Sequence, residues 1–320
     1  ACSLLESEPY FRIPVSIIST IDVLNAYFSF FPYNHIVLYD TVSDESLAVF
    51  SETILSVFYH ELVHAVSLQK KSKAWKIAGN IFGDILSPAP IFYTPLSFVE
   101  GVTVSLESYE GEGRLNDAFS TQIIRQAKIE GKFPNWQQAS QVRDIYPVGS
   151  VPYLFGGAFS AYLQKTYGME KYAQFWEACG KLHFMGSLES IILSIYGKDL
   201  KELWSAFKDS IIILDEENII DPRKQKNITA LETKKSLFQF LTQSKKGYAW
   251  FDLSSKEIWY ESYETGKRKK LFTTSNGQQN ISLSLDGNYF VSSYVLSYPL
   301  GRNYTTVYDL ETKKKLQSID

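Results

Sequence analysis

The sequence predicts an α+β fold: strands at the front, a helical body, and a β-rich region at the back. Three observations predict it. Residues 10–40 alternate apolar and polar types and are rich in β-branched and aromatic residues, as strands are. Residues from about Leu47 onward switch to helical periodicity. From about Leu237 the pattern returns to short strands separated by turn residues. The charge follows the same division. Residues 1–220 carry 16 Lys+Arg against 25 Asp+Glu, whereas residues 221–320 carry 16 against 10. We therefore expect a flexible tether over 1–9, a main domain over 10–218 and a β-rich domain over 230–320.

Among the first strands, "HIVLYD" (35–40) has the clearest pattern. "TVSDES" then offers a helix start, with Ser43 as N-cap and Asp44 and Glu45 at the positive end of the helix dipole. Helical periodicity runs from Leu47 to Gln69, and a further helix is expected over 74–86. Pro88 and Pro90 force a loop. "YTPLSFVEGVTVSLE" restarts a helix, with Thr94 as N-cap and Pro95 at the first helical position.

The helix over 47–69 carries "FYHELVHAV" (58–66). His60 and His64 are one turn apart on one face, so both imidazoles can reach one ion. Glu61 lies beside them, where a carboxylate can take a proton from water activated by that ion. The alternative is a buried core helix whose two histidines are only hydrogen-bonded. Half of the chain's 4 histidines sit in this motif. By chance such a motif arises in roughly one chain of this composition in several hundred, which favours zinc.

A catalytic zinc site needs a third protein ligand and an open fourth position. Glu100, on the next strongly patterned helix, is the candidate ligand. Glu107 is two turns further along the same face, where it can hydrogen-bond a ligand histidine from behind or lie in solvent.

H-E-x-x-H followed by "PLSFVEGVTVSLE" resembles the gluzincin zinc metallopeptidases, of the peptidase MA-like kind. The glutamate helix is similar to that of aminopeptidase N-like enzymes and leukotriene hydrolase. The resemblance implies a thermolysin-like zincin domain: an N-terminal sheet with an edge strand, an active-site helix, a glutamate helix and a helical C-terminal subdomain. It implies one Zn2+ held by His60, His64 and Glu100, with Glu61 as general base. "YPVGSVPYLFGGAFSAYL" (146–163) resembles the stretch where a tyrosine stabilises the oxyanion, which places Tyr153 in that role, with Tyr146 a near neighbour. "NAYFSFFPYNHIVLYD" (25–40) resembles the edge-strand region of a lipid-anchored bacterial subgroup, so Asn25 and Ala26 would pair with the substrate backbone.

The same subgroup carries a β-propeller behind the peptidase. "SLDGNY" and "VYDLETKKKL" look like TolB- or WD-type blades. Only about two blades fit, and a closed propeller needs about four or more, so either the first blades of a longer propeller or a small non-propeller sheet is expected, the former favoured. Its surface would suit a protein partner. Departures from the family also matter. No G-x-M-E-N segment precedes the motif, and "AVSLQKK" follows His64 where aminopeptidase N-like enzymes have W-F-G-N. Aminopeptidase specificity is therefore not supported, and an endopeptidase or a narrow processing role fits as well.

The two cysteines, Cys2 and Cys179, make no disulfide framework. Cys179 reads as a buried helical residue. "ACS" at the start, with acidic "LLESEP" behind it, matches the first residues after a bacterial lipoprotein signal peptide. Lipid on Cys2 would place the protein outside the cytoplasm, anchored but not spanning. No run of 18 apolar residues appears. No nucleic-acid motif accompanies the Lys-rich end, so nucleic acid is not an expected partner. The substrate is expected to be a peptide or protein. Two other readings stay open: an inactive zincin-fold surface adaptor, and a zinc hydrolase of a non-peptide amide or epoxide.

Overall fold

The computed structural model describes residues 1–7, 12–21, 24–30, 33–41, 52–70, 72–82, 94–141, 145–181, 188–213, 238–274, 277–296 and 302–319. The chain divides into two compact units, one of residues 1–19 with 24–217, the other of 20–23 with 218–320. The first unit mixes a small sheet with helices, the second is β-rich, and the whole is α+β.

In the first unit, strands β1 (Val15–Ile18), β2 (Asn25–Ser29) and β3 (His35–Tyr39) form a sheet in the order β1-β3-β2. β1 runs parallel to β3, and β2 runs antiparallel to it. Among the described strands β2 is therefore an edge. Its alternation has a clear cause: Ala26 is buried with Ile36, Leu38 and Val57, while Tyr27 faces out.

Helix α1 (Thr53–Leu68) packs on that sheet, and its C-terminal half, from His60 to Leu68, is largely buried. The expected N-cap at Ser43 and the charges at Asp44 and Glu45 lie outside the described residues. α2 covers Lys73–Phe82. The end of its expected span, with Pro88 and Pro90, is likewise outside them. Among the described residues, no helix is long and apolar enough to cross a membrane.

α3 spans Leu96–Glu107. Here one expectation is corrected: the N-cap is Pro95, not Thr94, and Pro95 is not yet helical, with ψ at 160°. Its carbonyl accepts the N–H groups of Phe98 and Val99 at 2.9 and 3.2 Å, the first bonds of the helix, and its side chain has no oxygen with which to cap. α4 (Ala118–Ile129) and the single turn α5 (Trp136–Ala139) come next. α6 (Val151–Tyr167) then lies against α3.

These two helices touch backbone to backbone. A Cβ on Gly101 would stand 2.6 Å from the carbonyl oxygen of Gly156, and one on Gly156 would run into the carbonyl of Ser97. The glycine beside Glu100, odd within an apolar helix, is explained by this approach. α7 (Met169–Cys179), α8 (Leu188–Tyr196) and α9 (Leu200–Ser210) complete the core. Phe98, Phe155, Phe159, Phe175 and Trp176 are almost wholly buried within it. Each such ring contributes about 2–3 kcal/mol of transfer free energy.

The N-terminal residues differ from the expected flexible tether. Leu5 is fully buried in the helical core, and Ala1, Cys2 and Leu4 pack beside it. Backbone bonds from Leu5 to Ala1 and from Ser7 to Cys2 close the turn. The leucines of "LLESEP" are anchored by burial despite their acidic neighbours.

The second unit consists of two four-stranded antiparallel sheets in sequential order. β4 (Phe238–Gln243), β5 (Gly247–Asp252), β6 (Glu257–Ser262) and β7 (Arg268–Thr273) form the first. β8 (Gln278–Leu283), β9 (Tyr289–Leu296), β10 (Arg302–Asp309) and β11 (Lys315–Ile319) form the second. Ala249, Phe251, Ile258 and Leu271 of one sheet bury against Ile281, Leu283 and Phe290 of the other. The Asp-Gly turn between β8 and β9 has Gly287 at φ +68°, a conformation open to glycine. The described sheets do not close into a ring.

Candidate metal centre and its pocket

α1 and α3 bring His60, His64 and Glu100 together. Glu100 Oε2 is 3.4 Å from Nε2 of His60 and 3.3 Å from Nε2 of His64. A tetrahedral ion with bonds of about 2.0–2.1 Å separates neighbouring ligand atoms by about 3.3 Å. The observed spacings match that edge. Glu100 Oε2 is buried against these two nitrogens without a close hydrogen bond to either. A cation among the three atoms would satisfy it. The donor set, two imidazole nitrogens and one carboxylate, is one that zinc prefers. These residues fit a zinc ion.

The proximity of these groups also shows in their electrostatics. Burial lowers the pKa of His60, but the carboxylates of Glu100 and Glu107 outweigh it and raise the value to about 8. Burial raises the pKa of Glu100, but the two imidazoles outweigh it and lower the value to about 2. Each shift arises from imidazole and carboxylate lying side by side in a buried place.

The other expected residues are placed around this cluster. Glu107 Oε2 is 3.0 Å from His60 Nδ1. With Nδ1–H donating there, the Nε2 lone pair points at the cluster. Glu61 is buried, and its Oε2 accepts the backbone N–H of Phe28 at 2.7 Å. Tyr153 stacks on His60, with ring centroids 6.2 Å apart and planes 24° apart. Burial and the nearby Glu100 charge push the Tyr153 phenol well above its ordinary pKa, so it stays a hydrogen-bond donor. Asn25 and Ala26 line the same cavity of about 390 Å3, together with Glu61, Glu100 and Tyr153. Tyr146 is exposed and is not among the lining residues.

Two participants were not legible in the sequence. The Phe28 N–H is a backbone group and leaves no trace in residue identity. Arg114 also lines the cavity. Its Nε is 3.5 Å from Glu107 Oε1, and its guanidinium carbon lies 5.3 Å from the centroid of the Tyr153 ring. Gly111 and Gly113, at φ +98° and +85°, turn the chain back after α3. A Cβ on Gly113 would stand 2.8 Å from the Glu107 carbonyl oxygen. The glycines of "GEGR" after the glutamate helix were the available signal.

No family model matches the chain. A protein of Treponema pallidum (strain Nichols), described as an uncharacterized protein, is 30% identical over 268 residues. That alignment covers 83% of this chain and 23% of the relative, so the chain spans about a quarter of the relative's length. Among solved structures, the uncomplexed acylaminoacyl peptidase of Pyrococcus horikoshii is similar over 26% of this chain and 17% of its own, at 13% identity and a TM-score of 0.23. TolB from Acinetobacter baumannii is similar over 26% of this chain and 21% of its own, at 17% identity and a TM-score of 0.23.

Proposed function

We propose that the first unit is a zinc-dependent peptidase that hydrolyses peptide bonds. The observation that carries this reading is the convergence of His60 Nε2, His64 Nε2 and Glu100 Oε2 beside Glu61, on the wall of a pocket bordered by an edge strand. His60, His64 and Glu100 would hold the ion. When bound, zinc supplies Lewis acidity, polarising a carbonyl and lowering the pKa of water towards neutrality.

The protein's own groups divide the remaining work. Glu61 accepts a proton from the attacking water and returns it to the leaving amine. The Phe28 N–H fixes the carboxylate for that transfer. Tyr153 donates its phenolic O–H to the carbonyl oxygen as negative charge builds there. β2 binds the substrate backbone. Residues in an antiparallel strand alternately turn their backbone groups towards and away from the partner strand. The Phe28 N–H points to Glu61 and away from β3, so Ala26, two residues earlier, also faces outward. Its N–H and C=O can pair with a peptide added as a further strand.

The β-rich unit reads as two blades of a β-propeller, supported by two sequential four-stranded meanders packed face to face. It would offer a surface to a protein partner. A location outside the cytoplasm, on a lipid carried by Cys2, goes with this reading and rests on the Ala-Cys-Ser sequence alone.

The test is a mass-spectrometric digest of a mixed peptide library by the zinc-loaded protein and its Glu61→Gln variant. Cleavage by the unaltered protein alone is expected, and the products will show whether it trims ends or cuts internally. No cleavage by the zinc-loaded unaltered protein would remove the peptidase reading.

A further inference from the structure

Arg114 belongs to no motif, yet it joins two groups that the proposed chemistry needs. Its Nε reaches Glu107, which in turn holds Nδ1 of His60. Its guanidinium lies over the ring of Tyr153, which stacks on His60. The four side chains thus close a circuit: guanidinium, carboxylate, imidazole, phenol. A planar guanidinium can do both jobs at once, pairing in its plane and stacking on its face, whereas an ammonium cannot. Its side chain is 22% exposed and that of Glu107 only 2%, so this pair is shielded from water. The formal charges also balance. Glu61, Glu100 and Glu107 face one guanidinium, and a divalent cation brings the sum to zero.

We propose that Arg114 is a positioning residue of this site, holding the Tyr153 ring in the orientation from which its phenol meets the carbonyl oxygen. The inference rests on the peptidase reading above. Arg114 acts through Tyr153 and is not itself a metal ligand. Its removal leaves the three zinc ligands and an added net negative charge in place, so zinc stays bound. An oxyanion donor contributes mainly in the transition state, so its misplacement lowers kcat and leaves KM nearly unchanged.

The experiment compares Arg114→Met and Arg114→Lys, each alone and combined with Tyr153→Phe. Zinc content, thermal unfolding, kcat and KM are measured on a peptide that the unaltered protein cleaves. Arg114→Met is expected to keep one zinc and to lower kcat by roughly ten-fold or more, part of the roughly hundred-fold that loss of a whole oxyanion donor costs. Arg114→Lys, which keeps the charge but not the plane, should restore only part of the loss. In the Tyr153→Phe background neither change should lower kcat further. A fall in that background as large as in the unaltered protein would overturn the proposal, as would a rise in KM at constant kcat. Should Arg114→Met not fold, Arg114→Lys is read in the same way.

One further readout needs no turnover. With 3-fluorotyrosine at position 153, the 19F resonance should move towards that of the free amino acid in Arg114→Met. An unmoved resonance overturns the proposal whatever the activity. Absence of cleavage by the unaltered protein removes the peptidase reading separately, and the 19F result then decides the role of Arg114.

Discussion

Glu107 Oε2 lies 3.0 Å from Nδ1 of His60, across 47 residues of sequence. With Nδ1–H donating to that carboxylate, the other nitrogen is aimed at Glu100 and His64. Replacing Glu107 by Gln should therefore weaken zinc binding by about 10–100-fold while the fold persists. Competition against a chromophoric chelator measures this. Unchanged affinity would reduce Glu107 to a structural carboxylate.

In the proposed site Glu100 would supply a ligand atom of its own, so its loss should be more severe. Glu100→Ala should lose zinc on dialysis, whereas Glu61→Gln should retain it at one ion per chain. Metal analysis by mass spectrometry separates the two. Full zinc stoichiometry in Glu100→Ala would remove Glu100 from the site.

The backbone contact between α3 and α6 makes a stability prediction with an internal control. Ala at Gly156 drives a methyl into the Ser97 carbonyl, which cannot move without the helix. Gly156→Ala should cost about 1–3 kcal/mol, as overpacking does. Gly79, within α2, has open space where a Cβ would sit. Gly79→Ala should stabilise by about 0.5–1 kcal/mol through helix propensity. Urea unfolding of both variants gives the comparison, and equal effects would contradict the packing account.

If Ala26 faces its N–H outward, proline there removes no bond of the β2–β3 ladder. Proline is tolerated at such edge positions. Ala26→Pro is therefore expected to keep zinc and fold but to raise KM for peptide cleavage by roughly ten-fold, the worth of about one hydrogen bond. Tyr27, one residue on, turns its backbone towards Val37 of β3. Tyr27→Pro should lower the unfolding temperature instead. Circular dichroism melts alongside kinetics distinguish the two positions.

Cys179 is fully buried, and burial pushes its thiol well above its ordinary pKa. Cys2 is half-buried and free. In protein produced without a lipid on Cys2, a thiol reagent should label Cys2 rapidly in the native state and Cys179 only after denaturation. Rapid labelling of Cys179 in the native state would show that the helical core opens.

Much of the site was legible in the sequence because its logic is local. Four residues make one helical turn, so His60 and His64 share a face wherever that helix lies. Seven residues make two turns, so Glu100 and Glu107 share a face as well. The period-two patterns after Leu237 announced strands, and Asp-Gly announced a turn between β8 and β9. Such features arise from backbone geometry, and a sequence repeats that geometry in its spacing. The sequence was less informative where a residue competes with its surroundings. Thr94 looked like the cap, but Pro95 stays extended and the helix begins one residue later, and the acidic N-terminal stretch hid the burial of Leu5.

By itself, then, the sequence determined the α+β class and singled out His60, His64 and Glu100, with the helices that carry them, as candidate metal donors. Tertiary structure alone decided that the donors meet at about 3.3–3.4 Å. It alone brought β2 to the pocket, tied Glu61 to the Phe28 N–H and set Arg114 between Glu107 and Tyr153. The physical reason is range. Helix and strand periods act over a few residues, whereas Phe28 and Glu61 are 33 residues apart and His60 and Glu107 are 47 apart. Contacts at that separation depend on how closely elements pack. Here Gly101 and Gly156 let α3 and α6 touch, and no spacing rule within either helix encodes that distance.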